Sequence, residues 1–258
     1  MGVVNKIIFL GTGSSLGVPV IGCDCSVCSS KESKNQRLRP SILIETTTQK
    51  KIVIDTGPDF RTQALKYGIK NLDGVMLTHF HYDHNGGLDD LRIFQYRNNK
   101  PLPLLLNNET LEDIKRRFYY FLNIDKKSAF FDFYILEEDF GKSFFCDLEI
   151  EYFSYYQNGE KVLGFKFNDT VAYVSDIRSF DQKVIDTLKG VDTLIVSALR
   201  HEPTMMHFSI NEAIDFAREV NSKKTILTHI AHEIDHDKVS KKLPKNFSLA
   251  FDGMELAF

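Results

Sequence analysis

Leu77-Thr78-His79-Phe80-His81-Tyr82-Asp83-His84-Asn85-Gly86-Gly87 packs three histidines and an aspartate into six positions. A solvated turn has no use for so many ligand-type side chains at once. His79 and His81 flank a turn at the end of the apolar run Gly74-Val75-Met76-Leu77. Asp83 and His84 follow on the way into the next helix, with Gly86 and Gly87 letting the backbone turn tightly. One segment can therefore face two metal ions. Imidazole and carboxylate suit zinc, manganese or iron, and two such ions about 3.5–4 Å apart can share a hydroxide that attacks a phosphoryl or acyl centre.

The remaining ligands must come from elsewhere, and the rest of the chain offers them at strand ends. Short β-rich runs bounded by Gly, Asp, Asn or Pro dominate, from KIIFLG at Lys6 to SLAFDG at Ser248. Stretches with helical spacing lie between them, at Asp59–Tyr67, Leu88–Tyr96, Thr110–Leu122, Asp181–Leu188 and Ser209–Val220. Asn108 and Ser209 are the expected N-caps. Strands that pair in sequence, interleaved with helices, suggest a layered α/β domain with two central sheets. KIVID ends at Asp55, GVMLT runs into His79, VAYVS into Asp176, LIVSAL into Arg200 and His201, and TILT into His229. Strand ends gathered on one edge are where α/β sheets build sites.

Composition excludes several classes. Of 258 residues, 43% are hydrophobic and 26% charged, and 32 basic against 35 acidic residues give a formal net charge of -3. That balance supplies no global field to attract nucleic acid or anionic lipid. The start MGVVNK has no apolar signal-peptide core, Lys6 stands where a myristoylation signal wants Ser or Thr, and no apolar run approaches the roughly 18 residues of a membrane span. A cytoplasmic protein with no membrane partner is expected. Cys23, Cys25 and Cys28 sit within six residues, and clustered thiols in such a protein read as metal ligands. Cys146 reads as a buried small hydrophobe, and most of the aromatic residues, Tyr119, Tyr120 and Phe121 included, read as core, a substrate wall being the other reading of those three. His236 reads as the start of a solvated polar helix.

The stretch Thr78-His79-Phe80-His81-Tyr82-Asp83-His84 matches THxHxDH and resembles the signature of the metallo-β-lactamase fold superfamily. With Asp55 in IDTG, Asp176 in YVSDI and His229 in LTHIAH, the resemblance covers nearly the whole chain. It implies an αββα four-layer sandwich over residues 1–258, with the site at one edge of the two sheets. Leu10-Gly11-Thr12-Gly13 through Cys23, Cys25 and Cys28 is similar to the LGTGxxxGVPxxGCxCxxC pattern of PhnP-type cyclic phosphodiesterases. In that family the loop, here residues 22–30, carries a structural zinc whose fourth ligand would be His232. Three thiolates and one imidazole make a closed tetrahedral site with no position for substrate. Alone, GTGSSLG would hint at a phosphate loop, but it lacks GxGxxG spacing and Pro19 follows where a helix should begin.

The resemblance implies one metal held by His79, His81 and Asp176, another by Asp83, His84, Asp176 and His229, and Asp55 orienting a ligating histidine. It also places His207 at the substrate phosphate, where it would stabilise charge or protonate the leaving oxygen; Arg200 and His201 could line the same pocket or be ordinary loop residues. Asp83 and His207 are the expected catalytic residues. The pattern breaks once. Where the family has a histidine in HGxxxVLGF, this chain has Gln157-Asn158-Gly159-Glu160-Lys161-Val162-Leu163-Gly164-Phe165, and no histidine lies between His84 and His201. An amide oxygen is a poorer zinc ligand than imidazole, so Gln157 would hold the first metal weakly. Weak binding or Mn²⁺, a single working metal, and impaired catalysis are the three consequences left open.

The expected function is hydrolysis of small or cyclic phosphodiesters through a metal-bound hydroxide, using two divalent ions (Zn or Mn) and one structural Zn. RNA processing is the second reading; the slightly acidic charge and the lack of a Gly/Pro-rich arm to grip RNA disfavour nucleic acid as a partner. Thioester hydrolysis fits the chemistry without using the cysteine loop. A non-catalytic, zinc-stabilised protein that binds a phosphorylated ligand is the alternative that Gln157 keeps open. Dimers being common, the assembly reading leans to a homodimer.

Overall fold

Ile7, Ile8, Phe9 and Leu10 are all buried, which a strand allows only when both of its faces are covered. The computed structural model, which describes residues 4–122 and 129–258, shows what covers them. The first sheet contains β1 (Lys6–Gly11), β2 (Ser41–Glu45), β3 (Lys51–Ile54), β4 (Gly74–Met76), β5 (Leu102–Asn107) and β6 (Phe131–Leu136). The second contains β7 (Phe140–Phe145), β8 (Leu148–Gln157), β9 (Glu160–Phe167), β10 (Val171–Val174), β11 (Thr193–Ser197), β12 (Lys224–Thr228) and β13 (Phe247–Leu249). The last strand, β14 (Glu255–Ala257), returns to the first sheet beside β1. Each sheet is antiparallel in one half and parallel in the other: β3 to β6 run parallel, as do β10 to β13.

Side-chain alternation assigns the layers. Ile7, Phe9, Ile42, Ile44, Ile52 and Ile54 meet Ile150, Phe165, Tyr173 and Ile195 between the sheets. The intervening Ile8, Leu10, Leu43 and Val53 face outward to Phe60, Phe94, Leu111 and Ile114. Those four belong to α1 (Phe60–Lys66), to α3 (Arg92–Asn98), which follows the one-turn α2 (Tyr82–Asn85), and to α4 (Asn108–Arg117), which α5 (Tyr119–Leu122) follows after a break at Phe118. On the other side, Leu194 and Val196 pack on α6 (Gln182–Leu188), α7 (Ile210–Val220) and α8 (His236–Ser240). The layers run helix, sheet, sheet, helix, the expected αββα sandwich. Each fully buried aliphatic side chain contributes about 1.5–3 kcal/mol, so three apolar layers fix the mutual placement of the sheet edges. No helix among the described residues is long and apolar enough to cross a membrane.

The helix ends refine the reading of the sequence. Ser209 caps α7 in a full capping box with Glu212, as its position suggested. For α4 the cap is Asn107, whose Oδ1 accepts from Thr110 N–H at 2.9 Å, and Asn108 is already helical. The Leu88–Tyr96 stretch begins as a 3-10 turn at Leu88–Leu91 before α3. Three core or surface expectations are overturned. Tyr119 and Tyr120 are 62% and 55% exposed, Tyr120 donating its hydroxyl to Asp89; the side chain of Phe121 lies outside the described residues. His236 is buried, its N–H held by Asn35 Oδ1 and its ring edge-on to Phe251, because partners distant in sequence close over it. Cys146 is only partly buried in the turn between β7 and β8, where its thiol donates to Asp73 O.

Gly57 shows how tightly the loop after β3 docks on the histidine segment. A Cβ there would lie 2.0 Å from the carbonyl oxygen of Asp83, and neighbouring Thr56 N–H donates to His84 O at 2.7 Å. Gly57→Ala should destabilise the protein by about 1–3 kcal/mol, lowering Tm by roughly 2–10 °C. An unchanged thermal midpoint would show that the two segments are not in that contact.

Candidate metal centre

Parallel strands β3 and β4 of one sheet and β10 to β12 of the other end at the same edge of the sandwich. The residues that follow three of them leave the strand in the left-handed conformation: Asp55 (φ 62°), Asp176 (φ 51°) and His229 (φ 59°). A non-glycine residue held there costs on the order of 1–3 kcal/mol and persists only where the surroundings impose it. Here the imposition is visible. Asp55 N–H donates to Met76 O, and the residue after His229, Ile230, exchanges hydrogen bonds with Thr12 O and Ser14 N–H. The strain lifts each side chain out of the strand's alternation.

The lifted groups converge. Asp83, His84, Asp176 and His229 bring one ligand atom each within 4.8 Å of one another, and so do His79, His81 and Asp176. His84 Nε2 lies 3.3 Å from both Asp83 Oδ2 and Asp176 Oδ2. His229 Nε2 lies 3.1 Å from Asp176 Oδ1 and 3.5 Å from Asp83 Oδ2, and His79 Nε2 is 3.7 Å from Asp176 Oδ2. The Nε2 atoms of His79, His84 and His229 are buried without a hydrogen bond. One such orphan costs about 1–3 kcal/mol, and three aimed at two carboxylates suit divalent cations. Asp176 belongs to both clusters.

Electrostatics favour the ligand forms of His79, Asp83 and Asp176, whereas the carboxylates raise His84 and His229 toward a charged form whose proton a bound cation would replace. Burial and the neighbouring His84 hold His79 well below the usual imidazole range, so it is neutral. Burial alone would raise Asp83 and Asp176, but His84 and His229 outweigh it and hold both carboxyls below their ordinary value. Burial would likewise depress His84, yet Asp176, Asp83 and Asp55 raise it well above 6.5. Asp55 Oδ2 lies 2.7 Å from His84 Nδ1 and accepts from Thr78 Oγ1 at 2.8 Å, while Asp55 Oδ1 accepts from Thr78 N–H at 2.8 Å. This leaves His84 Nε2 facing Asp83 and Asp176.

A second cluster lies in the N-terminal loop. The Sγ atoms of Cys23, Cys25 and Cys28 stand 3.3, 3.5 and 3.5 Å from His232 Nδ1. A tetrahedral zinc with bonds of about 2.3 Å to sulfur and about 2.0 Å to nitrogen separates S and N by roughly 3.5 Å, so these donors fit that ion. The backbone N–H of Cys28 donates to Cys25 Sγ and draws that thiol down to about 6. His232 lies three residues beyond His229, and buried Arg37 braces the segment through Ala231 O and Ile234 O.

Gln157 sits at the end of β8 with its amide Nε2 3.3 Å from Asp176 Oδ2 and 3.1 Å from His207 Nε2; its Oε1 is buried without a partner. His207 stacks on His229 with ring centroids 4.9 Å apart, and burial depresses it to about 4. It opens onto a cleft of about 330 Å³ lined also by Ser14, Leu16, Arg200, Met206 and Glu233. Arg200 thus reaches the pocket, pairing with Glu233 at 3.1 Å, whereas His201 is exposed and does not line it. One neighbour escaped the sequence reading: Glu160, whose Oε2 is 2.8 Å from His81 Nε2.

Known proteins place this geometry in a family. The model of the beta-lactamase superfamily domain matches residues 50–230. The chain belongs to the beta-lactamase superfamily. It is also PhnP-like: the crystal structure of a diphosphatase from the PhnP family superposes with a TM-score of 0.90 at 33% identity, over 98% of this chain and 97% of that one. An octanoyltransferase of Porphyromonas gingivalis is 33% identical over 253 residues, 97% of this chain and 51% of that protein, so the chain spans about half the length of that relative. The anti-Pycsar protein Apyc1 of Paenibacillus harenae is 28% identical over 195 residues, 71% of this chain and 80% of that protein. The hydrolase fold and its metal-binding clusters follow from the family and the geometry together.

Cys28→Ser should lower the zinc content of the purified protein by one ion per chain and reduce Tm, read by elemental analysis and thermal unfolding. Unchanged zinc content would show that the three thiols carry no ion.

Proposed function

We propose that this chain is a metal-dependent phosphodiesterase acting on small or cyclic phosphodiesters. The observation that carries the reading is Asp176, one buried carboxylate shared by two ligand clusters and faced by the unpartnered Nε2 atoms of His79, His84 and His229, beside a cleft that His207 overlooks. His79, His81 and Asp176, with Gln157 in the place of a further histidine, would hold one divalent ion; Asp83, His84, Asp176 and His229 would hold the other, Zn or Mn, with one structural Zn on Cys23, Cys25, Cys28 and His232. Bound there, the ions supply an activated water and neutralise phosphoryl oxygens.

The chain's own residues do the rest. Asp55 holds the His84 ring through Nδ1. Asp83, ionised by its surroundings, keeps an acceptor beside the site of attack. His207, neutral because burial depresses it to about 4, offers an N–H to a phosphoryl or leaving oxygen instead of a full charge. Leu16 and Met206 give the cleft an apolar wall for the remainder of a small ester. The PhnP-family neighbour is a diphosphatase, which favours a phosphoryl over an acyl centre; in the octanoyltransferase about half of the protein lies outside the match. We place the protein in the cytoplasm as a single domain over 1–258.

Reduced, metal-replete protein should hydrolyse a bis-aryl phosphate with Mn²⁺ or Zn²⁺, and Asp83→Ala should lower kcat/KM by roughly 100-fold or more. Full activity in Asp83→Ala, or no turnover with either metal, would overturn the assignment.

A further inference from the structure

The hairpin joining β8 to β9 turns on Asn158-Gly159, with φ of 47° and 83°. Positive φ at both central residues makes the two-residue turn that matches strand twist, and it sets Gln157 and Glu160 directly opposite one another. Cross-strand partners share a sheet face, so one turn delivers two polar side chains to the metal edge. They do different things there. Gln157 is buried, and its amide orientation is set by Asp176: the carboxylate can only accept, so the Nε2 side faces Asp176 Oδ2 at 3.3 Å, and turning the amide over would set two oxygens against each other. The same nitrogen contacts His207 at 3.1 Å. Glu160 instead reaches His81, Oε2 to Nε2 at 2.8 Å.

A histidine ligand has two nitrogens, and the partner of one decides which remains for a metal. With Nε2 engaged by Glu160, the nitrogen of His81 left for its cluster is Nδ1, whereas His79 and His84 each have Nδ1 occupied, by Thr78 Oγ1 and Asp55 respectively, and present Nε2. We infer that Glu160 is a positioning residue for the His79/His81/Asp176 site: its carboxylate orients His81, strengthening the metal position that lacks a third histidine. Gln157 meanwhile ties Asp176 to His207 through its Nε2. The inference rests on reading that cluster as a metal position, and it does not depend on which ester is hydrolysed.

The competing view is that Glu160 and His81 form an ordinary surface ion pair, their side chains being 40% and 27% exposed; such pairs have little effect on anything beyond themselves. Zinc release separates the two. Metal-replete wild type, Glu160→Ala and Glu160→Gln are titrated with chelators of increasing strength, and the zinc given up is counted per chain. In Glu160→Ala the most weakly held ion should leave at roughly 10–100-fold lower chelator strength, with the other ions and the zinc-saturated Tm unchanged. Glu160→Gln, which keeps an oxygen acceptor for the His81 N–H, should recover much of that loss. Release identical to wild type in Glu160→Ala would overturn the inference, as would equal loss in both variants, which would make the carboxylate a ligand in its own right. A wild type that holds fewer than two ions besides the thiolate-bound zinc would remove the metal position itself, a different failure that turnover alone could not reveal.

Discussion

Burying the Asp176 carboxylate is the constraint to which the rest of the structure answers. At 1% exposure it has lost its hydration, a penalty of several kcal/mol unless positive or hydrogen-bonding groups replace the water. The replacements come from well-separated segments: His79 and His84 after β4, Gln157 from β8, Ser175 beside it, His207 before α7 and His229 after β12. Imidazoles kept from full hydrogen bonding cannot by themselves complete that exchange. Divalent cations between them and the carboxylate would, which is why the same geometry that looks costly without ions suits a hydrolytic metal centre.

Holding so many donors in place demands a rigid frame, and the two-sheet core provides it. The edge where the parallel strands end is closed from both sides. The loop after β1 is zipped to the loop after β12 through Thr12, Ser14 and Ile230, and the Cys₃His cluster joins the same two loops a few residues farther on. Its position three residues beyond His229 makes the N-terminal loop a brace for a catalytic-edge histidine held in a left-handed conformation. The first sheet is tied in separately, Leu163 of β9 donating to Thr78 O beside the histidine segment.

Much of this was legible in the sequence, for local reasons. His79 to His84 and Cys23 to Cys28 are short segments whose spacing alone concentrates ligands. Asp55, Asp176 and His229 stood out because each ends an apolar run, and two buried sheets force such runs to finish at an edge. Glu160 was not legible in the same way: its partner His81 is 79 residues away, and only the Asn158-Gly159 turn, which sets residues 157 and 160 opposite each other, signals it. Tyr119 and Tyr120 misled because aromatic residues on an amphipathic stretch resemble core, whereas the helix breaks at Phe118 and turns them outward. His236 misled in the opposite sense, its polar neighbours hiding a burial created by Asn35 and Phe251.

Anomalous diffraction from crystals of the metal-loaded protein tests the central claim most directly. The account predicts two peaks flanking Asp176, about 3.5–4 Å apart, and a third among Cys23, Cys25, Cys28 and His232. A crystal saturated with zinc or manganese that shows no ion within bonding distance of Asp176 would contradict it.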